Sequence, residues 1–279
     1  MSTPWLFLPE IPVSAPSTCC VNADEARHAT ASRRLRAGDA IHIFDGKGRV
    51  ADALLSVPNN NGSLDASVIA VNTRARAVPD VEIASAIPKG DRLTTLLEAI
   101  APLAASRWTP LRCTHSVVTW SPSNEMRSAR VLIAACKQSQ QPWLPVVAAE
   151  SSPIQVTRDA IARGRRVFIA HTSGASVSAL GRAPCGAAAT AITVLIGPEG
   201  GFTTEEFEAV KALGAECISL GSAILRIELA VAAALACFRL RSDSIHPRPP
   251  AQPSRIKQKM ERIGVEPMTS ALQRRRSPN

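Results

Sequence analysis

Every second side chain in Ile41-His42-Ile43-Phe44 is apolar or aromatic, the period of a half-buried strand. Asp45-Gly46-Lys47-Gly48 follows as a turn, because glycine reaches the positive φ of a tight hairpin without steric cost. Val50–Val57 predicts the returning strand, Asn59-Asn60-Asn61-Gly62 a second turn, and Ser67–Val71 a third strand. Short strands at this spacing predict a small β-barrel domain over residues 1–77. A linker around Arg74–Asp80 follows, and the pattern then changes. Strands predicted at Val81–Ile87, Thr114–Thr119, Val167–Ala170 and Ile192–Ile196 are interspersed with helices at Asp91–Ala105, Met126–Gln138, Thr203–Leu213 and Ile227–Leu240. Pro102 falls inside the first of these helices and should end or kink it. Val167–Ala170 and Ile192–Ile196 are continuous apolar runs, as strands buried on both faces require. The interleaving predicts an α/β domain with a mainly parallel sheet over residues 78–240. Residues 241–279 have no apolar periodicity and are rich in Pro, Ser and Arg. They predict a disordered basic tail, with an RNA-grasping arm as the functional alternative.

Composition narrows the class. The chain of 279 residues is 46% hydrophobic and 20% charged, ordinary for a soluble globular protein. Its formal charge is +9, but residues 241–279 supply six of those units, nine basic side chains against three acidic ones. The body is therefore only mildly basic, which allows RNA binding without demanding it. Aromatic residues make up 4% of the chain and Tyr is absent, which argues against rows of bases stacked on aromatic side chains. The 7 cysteines are odd in number and form no C-x-x-C pair, so neither a disulfide framework nor a zinc site is predicted. Reduced thiols in a cytoplasmic protein, with no metal, are the expectation. The start, MSTPWLFLPE, lacks the basic and apolar regions of a signal peptide. The longest apolar run, Leu229–Phe238, is far short of the ~20 residues that span a bilayer.

The segment richest in chemistry runs from Leu195 to Phe207. An apolar strand enters Leu195-Ile196-Gly197-Pro198-Glu199-Gly200-Gly201, and a helix then opens with Thr203 and Glu206 in capping-box spacing. Glycines before a helix N-terminus let backbone N–H groups approach a ligand, at the carboxyl end of a strand where α/β sheets bind ligands. A plain glycine turn is the competing reading. A phosphate cradle fits poorly, because Glu199 would face the phosphate and no Lys follows as in a P-loop. A carboxylate there suits a cation such as a sulfonium better. The second segment runs from Ile218 to Ala230. A strand ends at Leu220-Gly221, and a loop through Ile224 and Leu225 leads to Arg226 and an Ala-rich helix. Glu228 suits a first helical turn, where the dipole favours an anion, whereas Arg226 does not. The pair reads either as a surface ion pair or, for Arg226, as a contact to phosphate or to developing negative charge.

"LIGPEGGFTTEEF" followed about twenty residues later by "LGSAILRIELA" resembles the C-terminal signature of the 16S ribosomal RNA uracil-N3 methyltransferases, whose usual form is an IGPEGG block and then an LG-x-RILR-x-ETA block. His28 through Gly38-Asp39 and "IHIFDGKG" are similar to that family's PUA-like N-terminal barrel. Lys89-Gly90-Asp91-Arg92, Arg127 and "AACKQSQQPWLP" resemble its catalytic domain. The resemblance covers most of residues 1–240. It implies a SPOUT-type methyltransferase domain with a C-terminal trefoil knot, S-adenosyl-L-methionine as cofactor, 16S ribosomal RNA or the small ribosomal subunit as partner, and a homodimer. It implies cofactor contacts from Leu195, Ile196, Gly197, Pro198, Glu199, Gly200, Gly201, Leu220, Gly221, Ile224 and Leu225. Arg226 would orient the uracil or stabilise its anion, and Glu228 would hold Arg226 or accept the N3 proton. Arg33 and Arg34 would contact RNA. The chain departs from the family's pattern at Leu229, Ile100–Ala104, Lys137, Gln141 and Ser32-Arg33, mostly on the substrate side. The alternatives are therefore a catalytically impaired or altered-substrate RNA-binding relative, and a nucleotide-binding α/β enzyme outside methyl transfer.

Overall fold

A computed structural model describes residues 3–27, 35–58, 63–176 and 191–243. The chain divides into two compact units, the first within Met1–Ala75 and the second at Arg76–Pro247. In the first unit, β1 (Trp5–Phe7), β2 (Ser17–Val21), α1 (Ala23–Arg27), β3 (Ala40–Phe44), β4 (Arg49–Pro58) and β5 (Leu64–Thr73) build a mixed sheet of order β1-β3-β4-β5-β2. β1 runs parallel to β3, and the other pairs are antiparallel. Alternation sets the core. Ile41 and Ile43 on β3, Ala51, Ala53 and Leu55 on β4, and Leu64, Ala66 and Val68 on β5 share one buried cluster. The β3–β4 turn predicted at Asp45–Gly48 is present, and the fully buried Asp45 carboxylate fixes it. Asp45 accepts from the Lys47 and Arg49 backbone N–H groups at 2.7 and 3.0 Å and pairs with the Arg49 guanidinium at 2.7 Å. The turn predicted at Asn59–Gly62 lies outside the described residues.

The second unit contains β6 (Asp80–Ala86), α2 (Arg92–Ile100), β7 (Arg107–Leu111), α3 (Pro122–Ser139), β8 (Val146–Val147) and α4 (Pro153–Ala162). It continues through β9 (Arg166–Ser176), β10 (Ala191–Ile196), α5 (Thr204–Ala212), β11 (Glu216–Ser219) and α6 (Ile227–Asp243). The sheet has six strands in the order β11-β9-β10-β6-β7-β8, and every pair is parallel. β10 is central and buried along nearly its whole length, which is why it reads as an unbroken apolar run. α2 packs against α6 and α3, whereas α4 packs against α5, β9 and β10, and α6 also lies on β6 and β10. α2 ends at Ile100, just before Pro102, and Arg239 of α6 donates to the carbonyls of Leu103 and Ala104 beyond that end and to that of Pro79 before β6.

One predicted strand is not a strand. Thr114–Thr119 is irregular, and the strand beside β6 is Arg107–Leu111. The alternation over Thr114–Thr119 belongs to a partly exposed segment without a pairing partner. The true strand was masked by Pro110, which lacks an N–H, although Trp108 and Leu111 are completely buried.

Burial also sets thiol chemistry. It pushes the Cys113 and Cys136 thiols up to about 12, whereas Cys20 is exposed. Iodoacetamide at about pH 8 is therefore expected to label Cys20 in the folded protein and to spare Cys113 and Cys136 until denaturant is added. Peptide mass spectrometry reads this, and native-state labelling of Cys136 would contradict the packing.

Candidate functional site

Three strands of the parallel sheet deliver their carboxyl ends to one cavity of about 310 Å³. β9 contributes Ala170, His171 and Thr172; β10 contributes Ile196 and the loop Gly197–Phe202; β11 contributes Ser219 and the loop through Leu220, Gly221, Ala223, Ile224 and Leu225. Ala230 on α6 closes the wall. The carboxyl edge of a parallel sheet is where loops are free to shape a ligand site, and the volume is that of a small-molecule site.

The β10–α5 loop is held from three sides. Thr203 caps α5: its hydroxyl accepts from the Glu206 N–H at 3.2 Å, while Glu206 Oε2 accepts from the Thr203 N–H at 3.0 Å. The other Glu206 oxygen accepts from the Thr114 N–H at 2.7 Å and from its hydroxyl at 3.0 Å. Next to it, His115 Nδ1 donates to the carbonyls of Gly200 and Gly201, both at 3.1 Å. A Cβ on Gly200 would lie 3.2 Å from that of His115, and one on Gly197 would lie 3.0 Å from the Phe202 ring, so both glycines permit close packing beneath the loop. The β11–α6 loop is closed by Ser219, whose hydroxyl donates to the Gly221 carbonyl at 2.9 Å and accepts from the Gly221 N–H at 3.3 Å. Gly221 has φ of +136°, where a side chain would be strained.

The two motif segments, read as separate stretches of sequence, thus face each other across one space. Ile196, Gly197, Pro198, Glu199, Gly200, Gly201, Leu220, Gly221, Ile224 and Leu225 all line it. Leu195 does not: it is completely buried in the core cluster with Val167, Ile169 and Val210. Arg226 is exposed just past the lining, at the entrance to α6. Glu228 is 6% exposed, and its Oε2 has no hydrogen-bond partner among the described residues. No ion pair joins Arg226 to Glu228 among the described residues, so the surface-pair reading fails and Glu228 does not hold Arg226. Glu199 is less of a free anion than the sequence suggests, because Arg92 pairs with it at 3.4 Å. Arg33 and Arg34 lie outside the described residues. Sequence reasoning missed His171 and Thr172, although the polar pair directly after the apolar run Val167–Ala170 marks where β9, which continues to Ser176, leaves its pairing with β10.

A second cavity, about 640 Å³, opens toward the amino ends of β6, β7 and β10. Its charged groups are taken up by partners: Glu150 pairs with Arg112, and Glu82 gathers three arginines. Glu82, almost buried, is held by Arg163 at 2.8 Å, Arg165 at 3.2 Å and Arg107 at 3.3 Å. This is a fold-stabilising network rather than a ligand site.

The walls of the first cavity fit an adenosine-sized ligand. They combine apolar faces from Ile196, Leu220, Ile224 and Leu225 with backbone polar groups from two loops, the hydroxyls of Thr172 and Ser219, and an imidazole. A family model described as an RNA methyltransferase domain matches residues 76–239, and one described as an RNA methyltransferase PUA domain matches residues 21–69. The chain is 28% identical over 223 residues to the ribosomal RNA small subunit methyltransferase E of Mycobacterium bovis, covering 77% of this chain and 83% of that one. The corresponding Bacillus subtilis protein is 26% identical over 240 residues, covering 81% and 91%. Among solved structures, ribosomal RNA small subunit methyltransferase E from Neisseria gonorrhoeae bound to S-adenosyl methionine superposes with a TM-score of 0.76 at 27% identity, covering 86% and 98%. A probable rRNA-methyltransferase from Porphyromonas gingivalis gives 0.75 at 25% identity, covering 87% and 100%. The two units correspond to a PUA-like domain and a SPOUT methyltransferase domain.

Proposed function

The chain belongs to the RNA methyltransferase domain family, and from that premise we propose that it transfers the methyl group of S-adenosyl-L-methionine to N3 of a uridine in 16S ribosomal RNA. One observation carries the reading: the Ile196–Gly201 and Leu220–Leu225 loops, from different strands, wall a single cavity at the carboxyl edge of the sheet. The relatives' names supply the substrate class.

The cofactor, when bound, supplies a methyl carbon activated by its sulfonium. The chain's residues supply the rest. Apolar side chains at Ile196, Leu220, Ile224 and Leu225 and the backbone of both loops hold the cofactor and exclude water from its methyl group. Uracil N3 attacks only as its proton leaves, so negative charge spreads onto the base. Arg226, exposed beside the cavity, stabilises that charge and orients the ring. Glu228, in the first turn of α6, has a buried carboxylate oxygen without a hydrogen-bond partner among the described residues, and in this reading it takes the proton directly or through water. Arg33 and Arg34 contact phosphate, which positions the RNA without reading its sequence.

Two finer features belong to the same proposal. The cofactor loops form a trefoil knot, a reading supported by the return of the chain from β11 at the sheet edge to α6 on β6 and β10. The chain acts as a homodimer, and the exposed Ile224 and Leu229 beside the cavity are the apolar surface that pairing would cover.

The deciding measurement is modification mapping. Deleting the gene is expected to remove N3-methyluridine from 16S RNA, and re-supplying the chain to restore it. Persistence of the mark after deletion would reject the substrate. S-adenosylmethionine binding without any methylation would instead favour the impaired relative.

A further inference from the structure

His171 lines the cavity yet has no part in the mechanism above. It is the second of five residues, Ala170–Gly174, that β9 carries beyond the register of its neighbour. Cys217 of β11 lies opposite Ile169, and the next residue, Ile218, lies opposite Ala175. Such a bulge re-aims side chains at a strand end, and here it sets Ala170, His171 and Thr172 on the cavity wall. The imidazole is fixed from two directions. It packs on the Phe207 ring of α5 with centroids 4.7 Å apart. Its Nδ1 accepts from the Ser173 backbone N–H at 3.2 Å and lies 2.7 Å from the Ser173 hydroxyl.

An accepting Nδ1 places the proton of the neutral ring on Nε2. No described residue partners Nε2. The other polar groups of the wall are largely committed: Glu199 faces Arg92, and the Ser219 hydroxyl closes its own loop. His171 Nε2–H, together with the Thr172 hydroxyl, is what the side chains have left to offer a ligand. A neutral donor has a further merit, since it adds no second positive charge beside a sulfonium.

The geometry points to His171 as a cofactor-binding residue, whose neutral ring donates Nε2–H to an acceptor atom of S-adenosylmethionine in the cavity. This rests on the methyltransferase reading. Two variants separate the donor from the ring. His171→Phe keeps the packing on Phe207 and loses the donor, whereas His171→Gln keeps an N–H donor at similar reach and loses the ring. S-adenosylmethionine is titrated calorimetrically into the parent protein and both variants, and the ligand-free proteins are melted.

His171→Phe is expected to bind about tenfold more weakly with an unchanged melting temperature. His171→Gln is expected to stay within about threefold of the parent even where its melting temperature falls. At saturating cofactor, His171→Phe should methylate at the parent rate, which places the loss in KM rather than kcat. The reverse order of affinities, or parental affinity in both variants, would overturn the assignment and leave His171 a packing residue. Failure of the parent itself to bind removes the methyltransferase reading, and His171's role with it, before any variant is compared.

Discussion

Arg226→Ala is expected to slow methylation about 10²–10³-fold, the cost of removing one donor aimed at developing negative charge, while cofactor affinity stays within about twofold. Arg226 is exposed and follows the lining residue Leu225, but it is not itself part of the wall. No described side chain pairs with it, so the substitution breaks no contact of the fold. Its position also argues against a stabilising role. A cation before the first turn of α6 opposes the helix dipole, and its removal should leave the melting temperature unchanged or slightly raised. A residue that stabilises nothing where it stands, at the rim of a methyl-donor cavity, is placed for the substrate. Arg226→Lys should recover part of the rate, because charge remains while the planar fork that matches the base is lost. Single-turnover rates on 16S RNA and calorimetric titration of the cofactor separate these effects. A rate within about threefold of the parent would remove Arg226 from the chemistry, since the loss of a guanidinium aimed at developing charge costs far more than that.

The parts of this site that could be read from sequence are those in which neighbours along the chain determine the outcome. β10, the glycine loop and the capped start of α5 form one local unit: an apolar strand, residues that let backbone approach, and a Thr203–Glu206 box whose hydrogen bonds span three residues. The second loop was also legible as a strand end running into an Ala-rich helix, but that it shares a cofactor site with the first came only from the resemblance, because the meeting of the two loops depends on strand order. The β7 strand was hidden because Pro110 weakens the local signal, and burial of Trp108 outweighs it only once β6 and β8 lie on either side. α4 follows Ser152-Pro153, a cap and first-turn pair that is visible in the sequence but isolated from any long periodic run. Glu199 looked like a bare anion because its partner, Arg92, is 107 positions away. His171 went unread because the bulge that aims it is created by a contact between β9 and β11.

That contact supplies the second large effect. Gly174→Ala is expected to destabilise the protein by about 3 kcal/mol, the upper range for overpacking, and to weaken cofactor binding at least about tenfold. A Cβ on Gly174 would sit 2.4 Å from the Ile218 carbonyl carbon, 2.6 Å from its nitrogen and 2.7 Å from its Cα. These are backbone atoms of the adjoining strand and cannot rotate aside. Relief requires β11 to part from β9, and β11 is an edge strand with no further strand paired to it among the described residues. β11 leads through Ser219 into the loop that forms one wall of the cavity, and β9 carries His171 on another, so parting them opens the site from two directions. Gly201→Ala is the informative comparison. Gly201 has φ of +73° but open space around its missing Cβ, so only conformational strain applies, about 1 kcal/mol. Chemical denaturation of both variants, with cofactor titration, tests the ordering. Equal stabilities for Gly174→Ala and the parent would mean that the two strands do not approach this closely, and the bulge that aims His171 into the cavity would lose its cause.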